Sequence, residues 1–220
     1  VKSILANCIH PTEFIPVEDG TGASHTMFKV YEQVEKYATD LWYHVEDDYL
    51  HFPTAIQDMI DTVDQFEVNT GKMIAINPHD DIWRYTREIY ESIILLGPCR
   101  HYRTVRHTTY TCLASIDIYN KYRNHFQDAA KLILKYDENY TINQVWNKPD
   151  VMLFSPIPSL GLHIMDESGK DPYINVEQLW DDTPSLWKEQ NTQSFGIVSL
   201  FNEKHANLAQ LTWYNNKVIY

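Results

Sequence analysis

The chain of 220 residues has few glycines, few cysteines, few basic side chains and no long apolar run. Its 7 glycines stand singly, which excludes the Gly-rich loops that bind nucleotide phosphates. Its 3 cysteines form no Cys-x-x-Cys pair, so we expect reduced thiols rather than a disulfide framework. The longest aliphatic run, Ile93-Ile94-Leu95-Leu96, is far shorter than the roughly 20 residues that span a bilayer. We therefore expect no membrane partner.

Basic side chains are outnumbered, with 18 Lys and Arg against 30 Asp and Glu and a net charge of -12. This balance disfavours nucleic acid as a partner, because phosphate contacts need clustered Lys and Arg. No basic stretch followed by an apolar run begins the sequence. We therefore expect a soluble, acidic protein that is not secreted and that resides in the cytoplasm or in an assembled particle.

Aromatic side chains and histidines are abundant, with 15 Tyr, 8 Phe, 6 Trp and 10 His. One core of this size cannot bury all the Trp residues with their polar tips satisfied, and Tyr and Trp are enriched at protein interfaces. The sequence therefore predicts a non-enzymatic interaction or assembly protein, such as a virion or phage structural subunit. Its partner would be another protein or a second copy of the chain, and it would need no cofactor.

The spacing of apolar residues predicts the α+β fold class, with a helix-rich N-terminal two-thirds and a C-terminal antiparallel sheet. Helices are predicted over 27–45, 56–66, 80–96 and 119–136, and strands over 1–9, 72–77 and 102–118. Four further strands are predicted over 151–154, 160–165, 194–200 and 208–219. The parts would be residues 1–148 and 149–220 of one continuous domain, with a jelly roll as one arrangement of the final sheet.

A basic cluster interrupts the acidic sequence at Arg100, Arg103 and Arg106. Guanidinium groups bind phosphate and carboxylate through paired donors, so these three residues are candidates for anion binding. In the alternative interpretation, they pair with the chain's own carboxylates. Arg100 and His107 also resemble the spaced Arg and His of the HEPN ribonucleases, a resemblance that implies an all-helical scaffold and RNA cleavage.

The adjacent residues His79 and Asp80 resemble the metal-binding pair of the HD-type phosphohydrolases. That family also uses an upstream His and a downstream Asp, for which the candidates here are His44 or His51 and Asp117 or Asp128. In the alternative interpretation, Asp80 or Asp81 caps the helix that is predicted to follow.

The region from residue 151 to 202 resembles the middle of a 2-oxoglutarate-dependent oxygenase. Such enzymes hold Fe(II) through two histidines and one carboxylate, on the strands of a jelly roll. Here His163 and Asp166 are two residues apart where the family has one, and His205 follows. The resemblance implies Fe(II) and 2-oxoglutarate as cofactors, and His163, Asp166 and His205 as metal ligands. A metal-dependent enzyme with such a displaced triad is the alternative to the assembly protein.

Overall fold

The computed structural model describes residues 15–16, 22–46, 48–86, 90–108, 111–131, 140–163, 174, 212–214 and 217–219. The helices in these ranges are α1 (Gly22–Tyr37), α2 (Ala55–Thr70), α3 (Trp83–Thr86), α4 (Ile116–Lys131) and α5 (Asn143–Trp146). The strands are β1 (Leu41–His44), β2 (Tyr49–His51), β3 (Met73–Ile76), β4 (Ile94–Leu96), β5 (His101–Val105), β6 (Cys112–Ser115), β7 (Val151–Ile157), β8 (Gly161–His163), β9 (Thr212–Tyr214) and β10 (Lys217–Ile219).

Six of these strands form a mixed sheet in the order β1-β6-β3-β7-β5-β4. Strands β3 and β7 pair in parallel, and the other neighbours in this sheet are antiparallel. Two small antiparallel sheets accompany it, one of β2 and β8 and one of β9 and β10. The parallel pair lies at the centre of the large sheet, so the loops that follow β3 and β7 leave from the same edge.

The two faces of the large sheet are buried by different helices. Alternation along β3 places Ala75 in one core with residues of α1, α4 and α5, and places Ile74 and Ile76 in a second core with residues of α2. Strand β7 divides in the same way, with Leu153 in the first core and Phe154 in the second. Because both faces are covered, the central strands are apolar at consecutive positions.

The predicted fold class is wrong in its arrangement. The prediction separated a helix-rich N-terminal part from a C-terminal antiparallel sheet with a jelly roll as one form. The structure instead has a six-stranded mixed sheet in the middle, with helices interspersed along the chain. Five of the six strands precede residue 149, and β7 inserts between β3 and β5. The division at residues 148 and 149 stays a prediction.

Two predicted helices are too long. The first ends at Tyr37, and Leu41–His44 forms β1, where Leu41 pairs with Ser115 of β6. The helix predicted over 80–96 is a single turn, Trp83–Thr86, and Ile94–Leu96 forms the outer strand β4 beside β5. In both places, pairing with another strand decides the structure, because short apolar runs fit either a helix or a strand.

The second predicted helix is present as α2, which ends at Gly71 in a left-handed conformation with φ of 64°. The strand predicted over 72–77 is β3. Asp58 of α2 is buried, and Arg100 Nη2 lies 3.2 Å from its Oδ2. The strands predicted over 1–9 and 194–200 lie outside the described residues.

The buried aromatic residues form clusters on both faces of the sheet. On the α1 side, the rings of Tyr31, Trp42, Tyr119 and Phe126 lie in mutual contact, with centroids 5.3 to 6.4 Å apart. Pairs of this kind stabilise a core by about 0.5–1.5 kcal/mol beyond the area that they bury. Among the described residues, no helix is both long enough and apolar enough to cross a membrane.

Candidate functional site

The candidate site lies where the parallel strands β3 and β7 end. In sheets with parallel strands, ligands bind outside the carboxyl ends of the strands. The two loops there are tied together: Asp80 N donates to Ser159 Oγ at 2.8 Å, and Ser155 Oγ donates to the His79 carbonyl at 2.6 Å. Leu160 N also donates to the Pro78 carbonyl at 2.8 Å. The backbone at this edge of the sheet is therefore held in place.

Three histidines surround one tyrosine at this edge. The ring centroid of Tyr49 lies 5.1 Å from that of His163, 6.1 Å from that of His51 and 6.2 Å from that of His79. Tyr49 and His163 are stacked because they face each other across the β2 and β8 pair. We call His51, His79 and His163 with Tyr49 the histidine cluster.

His163 is bound to a carboxylate. Its Nε2 lies 3.1 Å from Asp48 Oδ2, and the two side chains are 33% and 25% exposed. With the carboxylate ionised, Nε2 carries the hydrogen and donates it, so Nδ1 of the neutral ring holds the free electron pair. The second oxygen of this carboxylate, Oδ1, is buried and has no hydrogen-bond partner in the described part of the chain.

The other two histidines are held by different partners. His79 is buried, and its Nδ1 donates to the Gly161 carbonyl at 3.2 Å. His51 Nε2 accepts from the Tyr43 hydroxyl. Gly161 lies opposite His51 in the β2 and β8 pair, and a Cβ atom there would lie 3.1 Å from the His51 ring. Only glycine lets β8 approach this ring without displacing it.

Burial shifts the protonation of several groups in and beside the cluster. It lowers the pKa of His51, and it raises the pKa of Tyr43 and of Tyr49. Burial also raises the pKa of Glu46, and the hydrogen bond that the Thr111 hydroxyl donates to this carboxylate partly opposes that rise. Shifted titrations that gather at the end of parallel strands are typical of functional sites.

A buried ion pair supports the site from the β5 side. The Asp80 side chain is fully buried, and its Oδ1 accepts from Arg103 Nε at 2.9 Å and from Nη2 at 2.5 Å. Its Oδ2 accepts from the Tyr85 hydroxyl at 2.5 Å. The Arg103 guanidinium also lies over the Tyr85 ring, 4.0 Å from its centroid. Asp80 therefore fixes the end of the loop that carries His79.

The three arginines that are predicted to bind an anion have different partners in the structure. Arg100 donates to Asp58 and to the carbonyls of Pro158 and Ser159, and Arg103 binds Asp80. Arg106 is exposed, and its guanidinium lies 4.9 Å from the centroid of the Tyr90 ring. Two of them therefore pair with the chain's own carboxylates, and anion binding by this cluster stays a prediction.

Of the three predicted metal ligands, the structure describes His163 alone. Asp166 and His205 lie outside the described residues, so the Fe(II) and 2-oxoglutarate hypothesis stays a prediction. Within the described ranges, no group of three or more His, Cys, Asp or Glu side chains is arranged to hold a metal ion. Asp81 caps the turn before α3, because its Oδ1 accepts from Trp83 N at 2.7 Å.

Three residues of the site, Tyr43, Asp48 and Tyr49, are not among those that the sequence points to. One signal was available: strand alternation in Tyr49-Leu50-His51 places an aromatic ring and an imidazole on one face. Nothing in the sequence shows that this face meets His163, 112 positions further along from His51. In comparisons with known proteins, no family model, no curated protein and no solved structure matches the chain.

Proposed function

We propose that the chain is an enzyme that carries out general acid–base catalysis on a small molecule bound at the histidine cluster. The observation that carries the proposal is the pair of His163 and Asp48, whose Nε2 and Oδ2 lie 3.1 Å apart beside two further histidines. A carboxylate that holds an imidazole by one nitrogen fixes its tautomer and stabilises its protonated form. The other nitrogen then takes a proton from the reacting group.

The roles follow from the hydrogen bonds. His163 Nδ1 is the base, because its Nε2 hydrogen is committed to Asp48. The ring centroid of His79 lies 6.4 Å from that of His163. The Nδ1 hydrogen of His79 is donated to the Gly161 carbonyl, so Nε2 is the nitrogen of the neutral ring that carries no hydrogen. With water as the molecule that His163 activates, the reaction class is hydrolysis.

The test is hydrolysis of four chromogenic compounds: p-nitrophenyl acetate, p-nitrophenyl phosphate, bis(p-nitrophenyl) phosphate and p-nitrophenyl glucoside. We expect the protein to release p-nitrophenolate from at least one of them. His163→Gln should lower kcat/KM by about 10²- to 10⁴-fold, the usual contribution of a positioned base. Asp48→Asn should also lower kcat, because an amide can hold the imidazole of His163 in the wrong tautomer.

The matched control is His125→Gln, a half-buried histidine on α4 that lies beside Tyr122. This variant should hydrolyse the same compound at the wild-type rate. The proposal fails if none of the four compounds is hydrolysed faster than in buffer. It also fails if His163→Gln retains the wild-type rate.

A second candidate function, the assembly protein predicted from the sequence, is favoured by a different observation. The outer strand β4 and the residue before it expose Ile93, Ile94 and Leu96 at 56%, 59% and 59%. Apolar edge strands of this kind pair with another chain. The partner would be a protein or a second copy, as in an assembled particle. Sedimentation velocity should then show association that Leu96→Lys abolishes, and a monomer at all concentrations would refute it.

A further inference from the structure

Arg84 is a buried cation with an incomplete set of partners. It lies in α3, five residues after His79, and its side chain is 3% exposed. Its Nε lies 3.4 Å from Asp81 Oδ2, which is long for a charged pair. Its Nη1 is buried and makes no hydrogen bond to any described residue. Guanidinium donors that are buried in this way are normally paired.

The carboxylates nearest to Arg84 in sequence leave its Nη1 without an acceptor, since Asp81 reaches only Nε, at 3.4 Å. Asp80 accepts from Arg103 and from Tyr85, and Asp81 Oδ1 accepts from Trp83 N. Leaving one buried guanidinium nitrogen without an acceptor costs free energy, because that donor has lost its hydration. Arg84 therefore has the charge and the free donor to receive an acceptor that is not part of the chain.

Arg84 also lies close to the histidine cluster. Its backbone carbonyl is 3.5 Å from Arg103 Nη1, and the loop that precedes it carries His79. Burial raises the pKa of the Tyr49 phenol, and the positive charge of Arg84 opposes that rise. An anion bound to Arg84 would consequently lie on the side of the Arg84 guanidinium that interacts with the Tyr49 phenol.

We propose that Arg84 binds an anionic oxygen group, a carboxylate or a phosphate, on the small molecule that the histidine cluster acts upon. The catalytic part of this statement rests on the proposed function, whereas the binding of the anion does not. The planar guanidinium presents parallel donors that match either group. The substrate is thus an organic acid or a phosphate ester rather than a neutral or cationic molecule.

The test measures binding without turnover. Inorganic phosphate, methyl phosphate and acetate are each titrated into the protein at constant ionic strength, by calorimetry and by thermal unfolding. We expect at least one anion to raise Tm, since a ligand that binds only the native state stabilises it. Arg84→Met should raise its Kd about 10- to 150-fold, as expected for loss of a hydrogen bond to a charged group. Comparison of methyl phosphate with acetate shows whether the site binds a phosphate group or a carboxylate group.

The control is Arg123→Met, which removes an arginine that is half exposed and paired with Glu35. It should leave the Kd unchanged. If Arg84→Met does not fold, Arg84→Lys takes its place, and it should bind more weakly because it lacks the paired donors.

The proposal is overturned if no anion raises Tm, or if the Arg84 variant binds as tightly as the wild type. Hydrolysis that depends on His163 without anion binding would refute this inference alone. Anion binding without hydrolysis would refute the proposed function alone.

Discussion

Asp80 is expected to be the most sensitive polar position of the candidate site. Its carboxylate is fully buried and accepts three hydrogen bonds, two from Arg103 and one from Tyr85. The Arg103 side chain is itself 11% exposed. Asp80→Ala therefore leaves a desolvated guanidinium with no carboxylate, since the other acceptor of Arg103 among the described residues is the Arg84 carbonyl at 3.5 Å.

The size of the effect follows from burial. Removing one partner of a buried ion pair costs about 3–5 kcal/mol of unfolding free energy, most of it from the charge left behind. For a chain of this length, each kcal/mol lowers Tm by about 2–4 °C, so the expected loss is about 6–20 °C. Arg103→Met should cost about as much, for the same reason. The double variant removes both charges and should be little worse than either single variant.

The assay is urea unfolding followed by circular dichroism for the wild type, both single variants and the double variant. The coupling free energy between the two positions should be about 3 kcal/mol. Lys121→Met is the matched control, because Lys121 and Asp150 form an ion pair with side chains that are 57% and 34% exposed. That change should cost no more than about 1 kcal/mol. Additive effects of Asp80→Ala and Arg103→Met would refute the reasoning.

Two further predictions concern the histidine cluster. Burial holds the pKa of His51 below the value of about 6.5 that it has when unfolded, so the unfolded state takes up the proton first. The stability contributed by neutral His51 is therefore present above about pH 6.5, and it is lost as the pH falls through the pKa of the folded state. In urea unfolding at several pH values, the free energy of unfolding of His51→Gln should lack this pH-dependent loss. Gly161→Ala places a Cβ atom 3.1 Å from the His51 ring, so we expect a loss of about 1–3 kcal/mol in urea unfolding and a shifted His51 resonance in NMR spectra. An unchanged midpoint in Gly161→Ala would contradict the packing argument.

The elements that the sequence predicts well are those whose pattern is local. Helix α2 has a long apolar stripe and ends at a left-handed glycine, and β3 is a short apolar run between polar residues. The spacing of the apolar residues predicts a helix at Leu41 and at Ile94, because both continue a helical pattern. Each lies in a strand, since β6 and β5 offer them backbone partners. The periodicity of a segment does not show whether another strand lies beside it.

The candidate site shows the same limit. His79 and His163 stood out in the sequence because their neighbours resemble known motifs, yet their actual partners are Gly161 and Asp48. The Asp48 and His163 contact joins residues 115 positions apart, and it exists because β2 pairs with β8. Motif spacing describes contacts within a segment. This site is assembled from several segments of the chain, so spacing alone could not reveal it.

The aromatic surplus, which supported the interaction hypothesis, divides between two roles in the described residues. Trp42 and Trp146 are buried in the α1-side core, so they supply packing rather than a surface. Tyr49 and Tyr43 belong to the site, where each contacts a histidine. Trp83 is exposed at 37%, so an interface could still use it. The argument from composition therefore weakens for assembly, and the buried residues among them form the packing on which the candidate site lies.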